Sequence, residues 1–170
     1  MPLTSLHEIM QDRSNATFVA RDYEPADRAQ LLAMYGDFEP KRGAQGLPPA
    51  GDPKVAAWLD RVLARGRHLV VEVKEKILGH VMLMPMEDQS VELANFLHQS
   101  IRGRGIGTAM NALAVKLAQE SGYQRVWLSV EPGNRAAVRS YEKVGFRRLP
   151  GSNWAPEVEM TVELPVAVKA

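Results

Sequence analysis

Leu97-His98-Gln99-Ser100-Ile101-Arg102-Gly103-Arg104-Gly105-Ile106-Gly107-Thr108 places three glycines at alternate positions between a β-rich run and the first residues of an apolar helical stripe. Glycine lets the backbone approach a ligand closely, and N–H groups at a helix entrance, with the positive end of the helix dipole behind them, favour an anion. Arg102 and Arg104 add charge within the same turn. The pattern favours a diphosphate cradle over a glycine-rich connection with solvated arginines. Spacing narrows the ligand further. A P-loop requires G-x-x-x-x-G-K-S/T, and no lysine follows Gly107. A dinucleotide fingerprint requires G-x-G-x-x-G in a first βαβ unit, whereas here the order is G-x-G-x-G and comes late in the chain.

Downstream, Ile106, Met110, Leu113 and Leu117, with Ala109, Ala114 and Ala118 filling the stripe, predict an amphipathic helix ending at Gly122. Arg125 to Val130 (R-V-W-L-S-V) has little polar alternation, as expected of a strand covered on both faces. Asn134 then caps a helix carrying Ala137, Val138, Tyr141 and Val144 on one face, with Gly145 past its end. Phe146 to Leu149 and Glu157 to Leu164 read as the last strands.

Upstream, Val91 to His98 is a strand, and His68 to Val73 with Ile77 to Met84 form a hairpin around Lys74-Glu75-Lys76. Asp52-Pro53 opens a helix with Val55, Trp58, Leu59, Val62 and Leu63 on its stripe, closed by Gly66. Gly36 to Pro53 is a long loop, and Ala26 to about Tyr35 a helix. Thr17 to Tyr23 is a strand that ends at Glu24-Pro25. The order β-α-α-β-β-β-α-β-α-β-β predicts a mixed α/β sheet. Its strand-helix-strand crossover joins parallel neighbours, and ligands in such sheets bind at the carboxyl ends of the strands. Residues 17–165 read as one domain, with 1–16 an N-terminal arm and 166–170 a tail.

Composition agrees with a single globular domain: 170 residues, 45% hydrophobic and 24% charged, with 21 basic against 20 acidic side chains. The formal net charge of +1 argues against a protein that holds nucleic acid by phosphate neutralisation. Absence of cysteine removes thiol nucleophiles, disulfides and thiolate zinc sites, and suits a cytoplasmic location. His7, His68, His80 and His98 lack metal-ligand spacing, so no metal is expected. The apolar run Ile77 to Met86 is broken by Gly79, His80 and Pro85 and is far short of the ~20 residues of a membrane span. The first residues carry Glu8, Asp12 and Arg13 and do not read as a signal peptide.

The glycine segment resembles the GNAT superfamily of acyl-CoA-dependent N-acetyltransferases, whose pyrophosphate motif Q/R-x-x-G-x-G/A is matched by Arg102-Gly103-Arg104-Gly105-Ile106-Gly107. The resemblance continues through V-W-L-S-V-E-P-G-N at 126–134 and R-S-Y-E-K-V-G-F at 139–146, and the element order agrees from 17 to 164. Gln99 departs from the proline of many members. Ser129 stands where some peptide amino-terminal acetylating members carry a catalytic glutamate.

The resemblance implies acetyl-CoA as cosubstrate and direct transfer to an amine in a ternary complex, without a covalent enzyme intermediate. It implies that backbone groups from Phe96 to His98 pair with the pantetheine arm, with the N–H of Leu97 toward the thioester oxygen. Backbone N–H groups from Arg102, Gly103, Arg104, Gly105, Ile106 and Gly107, with Thr108, would hold the pyrophosphate. Asn134 would contact pantetheine, and Tyr141 would protonate the departing thiolate.

Tyr141 also lies on an apolar helical stripe, and Asn134 is equally a helix cap. Glu92 lies on the strand where the resemblance implies a carboxylate that deprotonates the amine, directly or through water, and reads equally as an exposed strand carboxylate; His98 and Glu131 are further candidates for the base. Tyr35, Phe38 and Trp154 are candidate walls of the amine pocket, Asp37 and Glu39 attractors of a cationic amine, and the Gly36 to Pro53 loop a candidate lid. Two other readings stand beside the enzyme. One is a non-catalytic acyl-CoA sensor with the same cradle. The other is a nucleic-acid binder using Arg102, Arg104, Arg147 and Arg148. The acceptor amine and the choice between monomer and homodimer stay open at this level.

Overall fold

The computed structural model describes residues 4–40, 52–151 and 157–165. Among these residues eight strands form one mixed sheet: β1 (His7–Gln11), β2 (Thr17–Asp22), β3 (Arg67–Val73), β4 (Lys76–Pro85), β5 (Ser90–Leu97), β6 (Arg125–Val130), β7 (Arg147–Arg148) and β8 (Val158–Glu163). Four helices accompany them: α1 (Arg28–Gly36), α2 (Asp52–Leu63), α3 (Ile106–Glu120) and α4 (Arg135–Val144). The strand order is β1-β2-β3-β4-β5-β6-β8-β7. Every neighbouring pair is antiparallel except β5 and β6, which the α3 crossover joins in parallel. Lys74 and Glu75, at φ +51° and +64°, make the tight β3–β4 turn.

Alternate strand residues feed two cores. On one face Val91 and Leu93 of β5, Leu128 of β6 and Met160 of β8 meet Ile106, Met110 and Leu117 of α3 and Val138 of α4. On the other, Val70, Met82 and Phe96 meet Leu31 and Tyr35 of α1 and Val55 and Leu59 of α2. This second core contains a polar chain. The Tyr35 hydroxyl donates to His80 Nδ1 (2.6 Å), His80 Nε2 to His68 Nδ1 (2.9 Å), and His68 Nε2 to the Arg65 carbonyl (2.7 Å). The terminal carbonyl can only accept, which fixes both neutral tautomers.

The sequence order is recovered, with one addition. Residues 7–11 are not an arm: they pair with β2 from His7↔Arg21 to Gln11↔Thr17 and lengthen the sheet. Shorter adjustments occur at β7 and β8, and residues 25–27 form a 3₁₀ turn ahead of α1. Among the described residues no helix is long and apolar enough to cross a membrane.

Candidate functional site

β5 and β6 pair only through Ser90↔Arg125, Val91↔Val126 and Glu92↔Trp127. Beyond Glu92 each follows its outer neighbour, β5 staying on β4 as far as Gly79↔Leu97 and β6 staying on β8 as far as Val130↔Val158. The sheet therefore opens between their carboxyl ends. The glycine segment begins where β5 stops.

Backbone direction in this cleft follows from antiparallel alternation. His98 donates its N–H to the Leu78 carbonyl (2.8 Å), so by alternation Phe96 exchanges both its bonds with His80. Phe96 and His98 are thereby removed from the expected pairing with a pantetheine arm, because their backbone groups belong to β4. Leu97, with Asn95, turns its N–H toward the opening, while the Leu97 carbonyl accepts from Arg102 Nε (2.9 Å). Asn95 Nδ2 donates to Asn111 Oδ1 (2.9 Å), and Asn95 Oδ1 has no partner among the described residues. An orphaned buried acceptor on the part of β5 that has left β6 fits a ligand arm entering there.

The cradle has the local geometry its glycines permit. Gly103 and Gly105 adopt φ +75° and +82°, and Gly105 is the left-handed residue from which α3 departs. The N–H groups of Ile106, Gly107 and Thr108 have no intrahelical acceptor, as at any helix start. Thr108 Oγ1 meets Ser140 Oγ (2.8 Å), which accepts from Asn111 Nδ2 (3.1 Å), tying α3 to α4 beneath the loop.

The motif arginines shape the cradle instead of facing into it. Arg104 pairs with Asp12 (2.7 Å). Arg102 lies over the Phe38 ring (5.1 Å) and donates to the carbonyl of Glu39 as well as to that of Leu97. Arg102 and Arg104, two of the four residues a nucleic-acid reading relies on, are thus engaged within the chain.

The remaining candidates separate by environment. Glu92 is half-buried, and desolvation, reinforced by the charge of Glu157, raises its carboxyl above the ordinary range. Tyr141 is buried against Phe146 (5.7 Å between rings), and burial pushes its phenol up to about 12, so it remains a proton donor at neutral pH. Asn134 caps α4, its side-chain oxygen accepting from Ala137 N–H (3.3 Å). Glu131 sits in the β6–α4 turn, its carbonyl accepting from Asn134 N–H (3.0 Å). His98 is a staple: Nδ1 accepts from the Ser100 hydroxyl (2.7 Å) and Nε2 reaches Asp37 Oδ1 (3.0 Å). Asp37 and Glu39 are held to the carboxyl end of β5 by these contacts and by Gln99, which accepts from Glu39 N–H (3.0 Å) and donates to the Asp37 carbonyl (2.6 Å).

Tyr35 and Phe38 are not pocket walls. They are 3% and 4% exposed and belong to the second core, Tyr35 through its bond to His80. Trp154 and residues 41–51 of the long loop lie outside the described residues. Asn95 and three cations near the cradle, Arg13, Arg139 and Lys143, were not singled out from the sequence. Only the adjacency of Arg13 to Asp12, and the i, i+4 spacing of Arg139 and Lys143, hints at them there.

A sequence profile of the Acetyltransferase (GNAT) family matches residues 30–146, more than half of the chain and spanning β5, the cradle and α4. The chain belongs to the GNAT acetyltransferase family. An uncharacterized N-acetyltransferase of Mycobacterium tuberculosis is 31% identical over 113 residues, covering 59% of this chain and 72% of the relative. A mycothiol acetyltransferase of Gordonia bronchialis is 27% identical over 129 residues, covering 72% of this chain but only 41% of its own length. In three dimensions the GNAT domain of S. lividans PAT superposes with a TM-score of 0.81 at 16% identity, over 93% of this chain and 97% of that one. A GNAT superfamily phosphinothricin acetyltransferase from Sinorhizobium meliloti, solved in complex with acetyl-CoA, gives 0.69 at 16% identity, over 85% and 87%. At such identities the likeness shows this GNAT protein's fold, and the roles of its residues rest on its own geometry.

Proposed function

We propose that the protein transfers the acetyl group of acetyl-CoA to a primary amine by direct attack within a ternary complex. The observation that carries the reading is the opening of β5 from β6 directly ahead of a glycine cradle at the start of α3. The sheet thus presents a free strand edge, and then a row of unpaired N–H groups, along one continuous path. In this reading the N–H groups of Ile106 to Thr108 hold the diphosphate, Leu97 and Asn95 align the arm along β5, and Asn134 borders it at the start of α4.

The thioester supplies an activated acyl carbon, and the chain's residues supply position and proton traffic. Glu92, with its raised affinity for protons, accepts the proton the amine loses as the new C–N bond forms and the C–S bond breaks. Tyr141 donates its hydroxyl proton to the departing sulfur, and the Leu97 N–H stabilises charge that develops on the acyl oxygen. A raised carboxyl and a still higher phenol form an acid and base pair of separated proton affinities, as such a reaction near neutral pH requires.

The test is release of free thiol from acetyl-CoA by the purified protein against a library of amines. Amine-dependent release that falls steeply in Glu92→Gln and Tyr141→Phe supports the reading. Tight acetyl-CoA binding with no release for any amine points instead to an acyl-CoA sensor.

A further inference from the structure

Beside the cradle lies a cleft of about 280 Å³, bordered by Gly103 and Thr108 at the start of α3, by Arg139 and Lys143 of α4, and by Arg13 from the β1–β2 turn. Six other arginines of the fold have carboxylate partners: Arg21 with Asp27, Arg28 with Asp60, Arg67 with Asp22, Arg104 with Asp12, Arg125 with Glu163 and Arg148 with Glu142. Among the described residues, Arg13, Arg139 and Lys143 have none, and no acidic side chain borders the cleft.

Arg139 and Lys143 are one helical turn apart, a like-charge spacing that disfavours a helix unless an anion lies between. Arg13 is held in place from below. The Asp12 carboxylate accepts from Ser14 N–H (2.8 Å), Ser14 Oγ (2.6 Å), Ala16 N–H (3.0 Å) and Arg104, and Arg13 N–H donates to the Arg104 carbonyl (2.9 Å). Its side chain lies directly against Gly105. Arg13 is also outside the stretch, residues 30–146, that matches the family profile.

Unpaired N–H groups at the start of α3 suffice for a diphosphate. Three further cations without counter-charges match a second anionic group on the same ligand. Coenzyme A carries one, the phosphomonoester on its ribose. We propose that Arg13, Arg139 and Lys143 bind this phosphomonoester, so that the protein selects CoA over dephospho-CoA and the N-terminal hairpin is part of the cosubstrate site. The inference rests on the acyl-CoA reading above and assigns a specificity that the reading alone does not require.

The experiment is calorimetric titration of the full chain with CoA and with dephospho-CoA. It is repeated on Arg13→Ala, on the Arg139→Ala/Lys143→Ala pair, and on Arg13→Lys, with circular dichroism and melting to verify the fold. The native protein is expected to bind CoA at least about tenfold more tightly than dephospho-CoA, since charge-assisted contacts to the extra phosphate are lost in the latter. That ratio should shrink in Arg13→Ala, approach one in the paired variant, and recover in part in Arg13→Lys. Equal affinities in the native protein overturn the inference while leaving the acyl-CoA reading intact. A ratio unchanged in the folded variants overturns it as well. Failure of the folded native protein to bind either ligand refutes the acyl-CoA reading and the inference together.

Discussion

Replacing Gly105 with alanine perturbs stability and binding by separable routes. The residue sits at φ +82°, where a side chain is strained whatever the surrounding space, at a cost of about 1–2 kcal/mol. For a domain of this size that corresponds to a melting point lower by about 2–8 °C. An added Cβ would also lie 2.9 Å from both Cγ and Nε of Arg13. Arg13 is exposed, so its side chain has room to rotate away from the new methyl, but in doing so it leaves the cleft.

Gly122, just past α3, is the control. Its φ is +87° and an added Cβ meets nothing within 4 Å, so Gly122→Ala carries the same backbone strain away from the cradle. Scanning calorimetry with CoA titration should therefore show both variants melting lower by similar amounts and only Gly105→Ala binding CoA more weakly, by about tenfold for the lost charged contact. Native-like melting of Gly105→Ala, or equal CoA affinity in the two variants, would refute the reasoning.

Other outcomes follow from the same geometry. Glu92→Gln should lower kcat by about 10²- to 10⁴-fold, and Glu157→Gln, by removing a like charge, should move the acidic limb of kcat/KM to lower pH. A carboxyl whose folded pKa is raised favours the fold below its unfolded pKa and loses that contribution as pH rises. Glu92→Gln should accordingly be more stable than the native chain at neutral pH, as urea unfolding would show. Asp12 is lowered to about 2, chiefly by Ser14 and Arg104, so its contribution is present above its unfolded pKa and is lost as pH falls toward 2; Asp12→Asn should flatten that acid limb of stability. Tyr35→Phe leaves His80 Nδ1 without its donor and should cost about 1–3 kcal/mol in urea unfolding.

The crossover from β5 through α3 to β6 and α4 was legible because its signals are local: alternate glycines, a 3.6-residue apolar stripe, an asparagine cap and a terminal glycine. β1 was not. His7 to Gln11 forms a sheet edge with no buried residue, so no apolar alternation announces it, and Ile9 is left 73% exposed. The cradle's backbone could be read from spacing, but its side chains could not. Arg104 finds its carboxylate 92 positions away in sequence, and Arg102 is drawn to a loop 63 positions upstream. Tyr35, near the end of α1, and Phe38, just past it, show why apolar positions cannot by themselves be sorted into pocket and core. The histidine that ties Tyr35 into the core comes from β4, on a different element.

The central claim is that the opening between β5 and β6 and the glycine cradle form an acetyl-CoA site, and calorimetric titration of the native chain and Gly105→Glu with acetyl-CoA tests it most directly. The account predicts saturable one-to-one binding by the native protein, abolished in the folded variant, where the new carboxylate meets Arg13 and repels the diphosphate. No binding by the folded native chain, or equal binding by the variant, would contradict it.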